Sequence, residues 1–91
     1  MDEIYRCEFR FHGRVQGVGF RYRACYFARG LSLTGWVKNL RDDRVEMEVQ
    51  GPESAINYML EQLARQNYIE IDFIDSTDIP CIEELGFQIV G

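Results

Sequence analysis

The sequence is poor in the residues that build metal centres, disulfide frameworks and membrane spans. It has three cysteines, none in a CxxC pair, and one histidine, His12, so it offers neither zinc-ligand spacing nor an even set of cysteines. We expect reduced, mostly buried thiols and neither a metal nor a cofactor. No apolar run approaches the ~20 residues of a membrane span, and the N-terminus lacks the apolar centre of a signal peptide. These absences predict a cytoplasmic protein without membrane association.

The charge is unevenly distributed along a chain of one-domain length, which we assign as a single domain over residues 1–91. The net charge is −5, but residues 1–44 carry nine basic and five acidic side chains, whereas residues 45–91 carry one and ten. A general nucleic-acid binder needs a basic surface, which this balance argues against. A basic N-terminal half next to an acidic C-terminal half suits a small anionic ligand bound at one site. We also expect the protein to be a monomer.

Hydrophobic periodicity divides the chain into strands and two helices. Alternating patterns indicate strands over residues 5–11, 33–40 and 45–49, then a fourth in which Ile69, Ile71 and Phe73 alternate. A short fifth strand near Phe87 and Ile89 follows an acidic loop. Apolar residues at helical spacing predict one helix over residues 20–30, ended by the glycine, and another starting at residues 51–53.

The order β-α-β-β-α-β predicts an α+β, ferredoxin-like split β-α-β sandwich. In this fold an antiparallel sheet carries both helices on one face, here with a short C-terminal strand added. The first two strands are parallel, with one strand between them, so their carboxyl ends lie roughly 10 Å apart at the same edge. Arg21, just after the first strand, and Asn39, at the end of the second, are therefore expected to face one ligand.

The segment between the first strand and the first helix reads Gly-Arg-Val-Gln-Gly-Val-Gly-Phe-Arg, residues 13–21. Three glycines in seven residues let the main chain curl around a ligand, because glycine reaches positive φ without steric cost. The following helix adds unpaired N–H groups and the positive end of its dipole, and Arg21 adds a fixed charge. These features are typical of a phosphate or oxyanion cradle.

Three common phosphate-handling designs are excluded by the same residues. There is no Gly-Lys-Ser/Thr for a P-loop, and Val15 stands where a phosphocysteine mechanism would need cysteine. Carboxylates for a two-metal site are also missing, since Asp42 and Asp43 fit a polar hairpin turn. His12 is a possible general base, although a strand-end histidine in solvent is the more ordinary case.

An arginine and a neutral amide suit a reaction with a good leaving group. A carboxylic–phosphoric anhydride expels a carboxylate, whose conjugate acid has a pKa near ~4 and needs no general acid. The protein then has to hold the phosphoryl group and direct a water molecule in line. The guanidinium of Arg21 can bind two phosphoryl oxygens, and the carboxamide of Asn39 can orient water.

The loop of residues 13–21, followed by Gly-Trp-Val-Lys-Asn at 35–39 and by Val45 and Gly51, closely resembles the acylphosphatase family over about residues 5–90. The sequence departs from the family pattern at Asp43, where a turn glycine is usual, and over residues 66–86, where preference for substrate or partner could differ. The resemblance implies metal-independent hydrolysis of acyl phosphates, with inorganic phosphate as product and inhibitor. It implies Arg21 and Asn39 as catalytic residues, and a phosphate-binding loop of Val15, Gln16, Gly17, Val18, Gly19 and Phe20.

Three other interpretations stay open at this point. The first is a non-catalytic module that binds or senses an anion with the same cradle. The second is a relative of the acylphosphatase-like domain of hydrogenase-maturation carbamoyltransferases. The third is an RNA-binding domain of similar fold, which would need aromatic and basic residues on the exposed sheet face, where Glu46 and Glu48 stand instead.

Overall fold

The computed structural model describes residues 3–91 and contains seven elements. They run in the order β-α-β-β-α-β-β: β1 Ile4–Arg14, α1 Phe20–Gly30, β2 Thr34–Asn39, β3 Val45–Pro52, α2 Glu53–Ala64, β4 Glu70–Ile79 and β5 Phe87–Ile89.

The five strands form one sheet in the order β4-β1-β3-β2-β5. The first four strands pair antiparallel with their neighbours, and β5 is added parallel to β2. Since β3 lies between β1 and β2, these two strands are parallel and their carboxyl ends share one edge. The predicted ferredoxin-like architecture, with its short C-terminal strand, is confirmed.

Both helices pack on the same face of the sheet, because alternate strand residues and one stripe of each helix form a single core. Packing the helices on the sheet removes from water apolar surface that neither the helices nor the sheet could cover alone. The fully buried residues of this core include Phe11, Phe20, Leu33, Val37, Val45, Met47, Val49, Met59, Leu63 and Phe87.

The other face of the sheet carries a network of charged side chains. Arg6 is only 2% exposed, and its guanidinium contacts Glu48, Gln50 and Glu84. Glu84 belongs to the segment of residues 80–86, which follows β4 and lies over this face. The main-chain N–H of Ile82 donates to Gln50 Oε1 at 3.0 Å, and Gln50 Nε2 donates to the Ile82 carbonyl. We call residues 80–86 the strap.

The fourth strand differs from its sequence prediction in length and in the placement of Phe73. β4 continues to Ile79, through residues expected to form a loop, and pairs with β1 back to Arg6. A register shift opposite the His12–Gly13 step puts Phe73 beside His12, with ring centroids 5.0 Å apart and the Phe73 side chain 56% exposed. The expectation that Phe73 continues the alternation of Ile69 and Ile71 is therefore wrong, because a bulge reverses the facing of later residues.

Candidate active site

The glycine loop joins β1 to α1 and uses its three glycines in two ways. Gly17 and Gly19 have φ of 72° and 80°, and Gly19 is the N-cap of α1. This left-handed backbone lets the chain turn directly into the helix. Gly13 instead allows β1 and β4 to approach each other closely, because a Cβ at this position would lie 2.2 Å from the Glu70 carbonyl oxygen of β4. Only two of the three glycines thus shape the predicted cradle.

Six of the eight predicted site residues, all except Gln16 and Val18, line a pocket of about 300 Å³ at the amino end of α1. The main-chain N–H groups of the first turn of a helix have no partner within that helix, and they carry its positive dipole end. The pocket thus combines these donors with the cation of Arg21. Its lining residues are Val15, Gly17, Gly19, Phe20, Arg21, Tyr22, Asn39 and Ile89.

Arg21 is the second residue of α1, and Asn39 is the last residue of β2. Both contact Gly91: the Arg21 Nη1 donates to its main-chain oxygen, and the Asn39 main-chain N–H donates to the same oxygen at 3.1 Å. Arg21 and Asn39, which are 18 residues apart in sequence, thus donate to the same acceptor. They lie close together, as the topology predicted.

The side-chain oxygen of Asn39 is buried and has no hydrogen-bond partner among residues 3–91. A buried acceptor without a partner costs about 1–3 kcal/mol, so such atoms are rare outside functional sites. Asn39 lines the pocket, so its carboxamide group can form a hydrogen bond with a water molecule or ligand held there.

The side chains of Gln16, Val18 and Phe20 hold the loop in position, and of these three residues only Phe20 also lines the pocket. Gln16 Nε2 donates to the carbonyl oxygens of Leu40 at 2.7 Å and Arg44 at 2.9 Å, which ties the loop to the hairpin after β2. Phe20 is 2% exposed and Val18 packs against the core, as expected of anchors. Neither Gln16 nor Val18 lines the pocket, so any contact of theirs with phosphate must be made by the main chain.

His12, the possible general base, is paired elsewhere. Its Nε2 lies 2.8 Å from Asp75 Oδ2 of β4, and its ring meets the edge of Phe73. It is not among the residues lining the pocket. Within residues 3–91, no three His, Cys, Asp or Glu side chains are grouped closely enough to hold a metal ion. In the same part of the chain no helix is long and apolar enough to cross a membrane.

The family model for acylphosphatase matches residues 7–89. This chain belongs to the acylphosphatase family. A curated acylphosphatase of Bifidobacterium longum is 45% identical over 73 residues, covering 79% of this chain and 75% of the relative. The crystal structure of the Bacillus subtilis acylphosphatase superposes with a TM-score of 0.87 at 36% identity, covering 96% of this chain and 99% of that one. The chain is thus an acylphosphatase, an enzyme that hydrolyses acyl phosphates to a carboxylate and inorganic phosphate.

The fold also occurs as a small part of a longer protein. HypF of T. kodakarensis matches with a TM-score of 0.82 at 31% identity, over 96% of this chain but 12% of that chain. The acylphosphatase-like part of HypF and the acylphosphatases therefore share one architecture.

The sequence did not predict three residues of the site, namely Tyr22, Ile89 and Gly91. Tyr22 directly follows Arg21, and a large aromatic at an exposed helical position was an available signal. Ile89 and Gly91 reach the pocket through the parallel pairing of β5 with β2. A three-residue strand carries too little pattern to specify its partner or its direction.

Proposed function

We propose that this acylphosphatase binds the phosphoryl group of its substrate in the glycine loop, with Arg21 as the cation and Asn39 positioning the attacking water. The observation that carries the proposal is that Arg21 and Asn39 line the same pocket at the amino end of α1. Family membership supports the reaction, and the geometry supports these roles.

The loop and Arg21 stabilise the charge of the phosphoryl group. Main-chain N–H groups from about Val15 to Phe20 donate to its oxygens, and the positive end of the α1 dipole favours an anion there. The Arg21 guanidinium donates to two oxygens at once. Because Gly91 fixes one guanidinium nitrogen, the orientation of the other donors is set before substrate binds, as electrostatic preorganisation requires.

Asn39 acts on the water. Its carboxamide group forms a hydrogen bond with the water molecule and directs the oxygen lone pair at phosphorus. The water oxygen forms a bond to phosphorus while the bond from phosphorus to the acyl oxygen breaks, and the carboxylate leaves with that electron pair. The proton of the water passes to a phosphoryl oxygen of the substrate, which gives inorganic phosphate. No step needs a protein side chain that titrates near neutrality.

The leaving group explains why an amide and an arginine suffice. A carboxylate leaves without protonation, whereas an alkoxide leaving group needs a general acid. We therefore expect activity in excess EDTA, and much slower hydrolysis of phosphate monoesters.

We also propose that inorganic phosphate inhibits the enzyme as its product. The enzyme acts as a monomer, without nucleic acid or membrane partners. Its unpaired cysteines suit the reducing cytosol.

The Asn39→Ala variant separates binding from chemistry. We expect kcat for acetyl phosphate, measured in excess EDTA, to fall at least ~10²-fold, while the Ki of inorganic phosphate stays similar, since Arg21 and the loop remain. Asn57→Ala, at an exposed position on α2, is the matched control and should keep both values.

A near-normal kcat for Asn39→Ala would show that another group positions the water. Loss of phosphate inhibition in a folded variant would place Asn39 in the phosphate cradle. A wild-type protein that binds phosphate but turns over no acyl phosphate would favour the non-catalytic anion-binding module.

A further inference from the structure

A second, larger groove borders the phosphate pocket. It measures about 1050 Å³, against about 300 Å³ for the pocket. Tyr22 and Ile89 line both spaces, whereas Arg21 and Asn39 line the pocket alone. The groove therefore begins where the pocket ends, and it continues along α1 to Arg29 and across to Tyr58 of α2.

The wall of this groove on α1 is a row of side chains spaced for one helix face. Tyr22, Tyr26 and Arg29 stand at i, i+4 and i+7, which spreads them over about 10 Å of the helix axis. The tyrosines are 80% and 71% exposed, so their rings are not needed to fill the core. The rings of Tyr26 and Phe27, which both line the groove, pack in an edge-on arrangement with a centroid distance of 5.5 Å.

The surface presented by the groove is aromatic rather than charged. The Arg29 Nε and Nη2 donate to the Phe87 carbonyl oxygen at 3.2 and 3.1 Å, which directs two of its three guanidinium nitrogens at the main chain. Tyrosine rings in such a row offer stacking and edge contacts to another ring. A polar or strongly anionic ligand would find few partners among these residues.

We propose that this groove binds the acyl part of the substrate, and that the enzyme prefers aryl-acyl phosphates over acetyl phosphate. The inference rests on the proposed phosphoryl position in the neighbouring pocket. With phosphorus held by the loop and Arg21, the acyl group has to leave the pocket past Tyr22 and Ile89, because those residues form the shared border.

The same pose meets the geometric demand of the reaction. In-line displacement needs the leaving group on the side of phosphorus away from the water. Asn39, which positions the water, lies outside the groove. An acyl chain in the groove is therefore kept clear of the attacking water. An acetyl group is too short to reach Tyr26, one helical turn beyond Tyr22, whereas a phenyl ring on a short linker spans that distance.

The test compares 3-phenylpropanoyl phosphate with acetyl phosphate in the wild type and in Tyr26→Ala. The measured quantity is the ratio of kcat/KM for the two substrates, and dividing the variant's ratio by that of the wild type removes their intrinsic reactivities. We expect the ratio to favour the aryl substrate and to fall on the order of tenfold in Tyr26→Ala. Tyr68→Ala removes a tyrosine that is 76% exposed and does not line the groove, and it should leave the ratio unchanged.

Competitive inhibition by 3-phenylpropylphosphonate and by methylphosphonate gives a second readout that needs no turnover. Tyr26→Ala should weaken binding of the first inhibitor and not of the second. Equal ratios in wild type, Tyr26→Ala and Tyr68→Ala would overturn the acyl groove while the proposed function stands. Absence of hydrolysis of both substrates by the wild type would overturn the proposed function instead. A change of sedimentation in Tyr26→Ala with the ratio unchanged would make the groove a contact between copies of the chain, which also overturns the proposal.

Discussion

Arg21 brings a positive charge to the pocket that it lines and also contacts Gly91. The contact and the binding of an anion use different nitrogens of its guanidinium group. One nitrogen donates to the main-chain oxygen of Gly91, and the planar group then presents its remaining donors in a fixed orientation. An ammonium group has the charge without this geometry, so substitution by lysine separates charge from orientation.

Arg21→Lys should lower kcat/KM for an acyl phosphate by about 10²-fold or more and also weaken inhibition by inorganic phosphate. Steady-state kinetics and the Ki of phosphate measure both effects. Arg23→Lys is the control, because Arg23 is exposed and does not line the pocket, and it should behave like the wild type. Wild-type kinetics in Arg21→Lys would remove Arg21 from the catalytic role.

The three cysteines differ in environment, although the sequence predicted mostly buried thiols. Cys25 is buried, Cys7 is partly exposed and Cys81 is exposed. Burial, together with the hydrogen bond and negative charge of Asp78, raises the pKa of Cys7 from 9.0 to about 11. A thiol reacts as its thiolate, so partial exposure alone does not make Cys7 reactive.

Iodoacetamide at pH 8 should therefore label Cys81 first in the native protein, with Cys7 and Cys25 protected. The thiolate fraction of Cys7 at pH 8 is on the order of 10⁻³, and its labelling should accelerate about tenfold for each pH unit until the pH approaches its pKa. Peptide mass spectrometry after timed quenching gives the rate at each site. Labelling of Cys7 as fast as Cys81 at pH 8 would contradict the effect of burial and Asp78.

At the scale of elements, the hairpin between β2 and β3 shows how a non-glycine residue fits a turn that usually holds glycine. Asp43 adopts φ 70°, and the Leu40 N–H donates to the Arg44 carbonyl oxygen across the turn at 2.8 Å. Three-residue hairpin loops commonly place their last residue in this left-handed region. The turn is formed with aspartate at this position, as expected from the sequence. A non-glycine residue in the left-handed region carries a strain cost of about 1 kcal/mol.

Asp43→Gly should raise the free energy of unfolding by up to about 1 kcal/mol, because relief of strain outweighs the greater freedom of glycine in the unfolded chain. Asp43→Ala should lower it by a similar amount, since alanine tolerates positive φ less well than aspartate. Urea denaturation of the three proteins measures the series. Stability in the opposite order would show that the Asp43 side chain contributes more than its backbone costs.

Patterns within one element were sufficient to predict most of the fold, and contacts between elements account for what they missed. The alternation in β1 and the helical spacing in α1 predicted both elements, and the shared edge of parallel strands predicted that Arg21 and Asn39 meet. The length of β4 was not predictable from its polar residues, because it is set by backbone pairing with β1. The role of Gly13 was missed for the same reason, since only its neighbouring strand reveals the close approach.

At the scale of the whole molecule, Arg6 joins β1, β3 and the strap on the sheet face opposite the helices. Its guanidinium contacts Glu48 at 2.9 Å and Glu84 at 3.0 Å, with its side chain 1% exposed. Burial lowers the pKa of this guanidinium, but hydrogen bonds and charges from Glu84 and Glu48 outweigh that effect and raise it. Arg6 therefore stays charged, and its removal would leave two neighbouring carboxylates without their cation.

Arg6→Met should lower the free energy of unfolding by about 3 kcal/mol, the lower end of the range for breaking a buried ion pair. Arg10→Met is the matched control: it lies on the same strand and face and pairs with Glu8 and Glu46, but its side chain is 43% exposed. Exposed pairs contribute less than about 1 kcal/mol. Chemical denaturation measures both variants, and equal losses would mean that the buried ion pairs of Arg6 stabilise the protein no more than the exposed pairs of Arg10.

The three-residue strand β5 makes the pocket depend on a contact between residues that lie far apart in the sequence. The glycine loop is synthesised early, yet the contact between Arg21 and Gly91 spans 70 residues, and contacts of such separation form slowly because a long loop has to close. Residues 86–91 are joined to β2 by a short run of main-chain hydrogen bonds, such as Val90 N–H to the Val37 carbonyl at 2.9 Å. Local opening of residues 88–91, beyond the fully buried Phe87, would take Ile89 out of the pocket and break the contact of Gly91 with Arg21. We therefore expect catalytic activity to depend on the docking of these residues, and amide hydrogen exchange at Val90 to report how often they open.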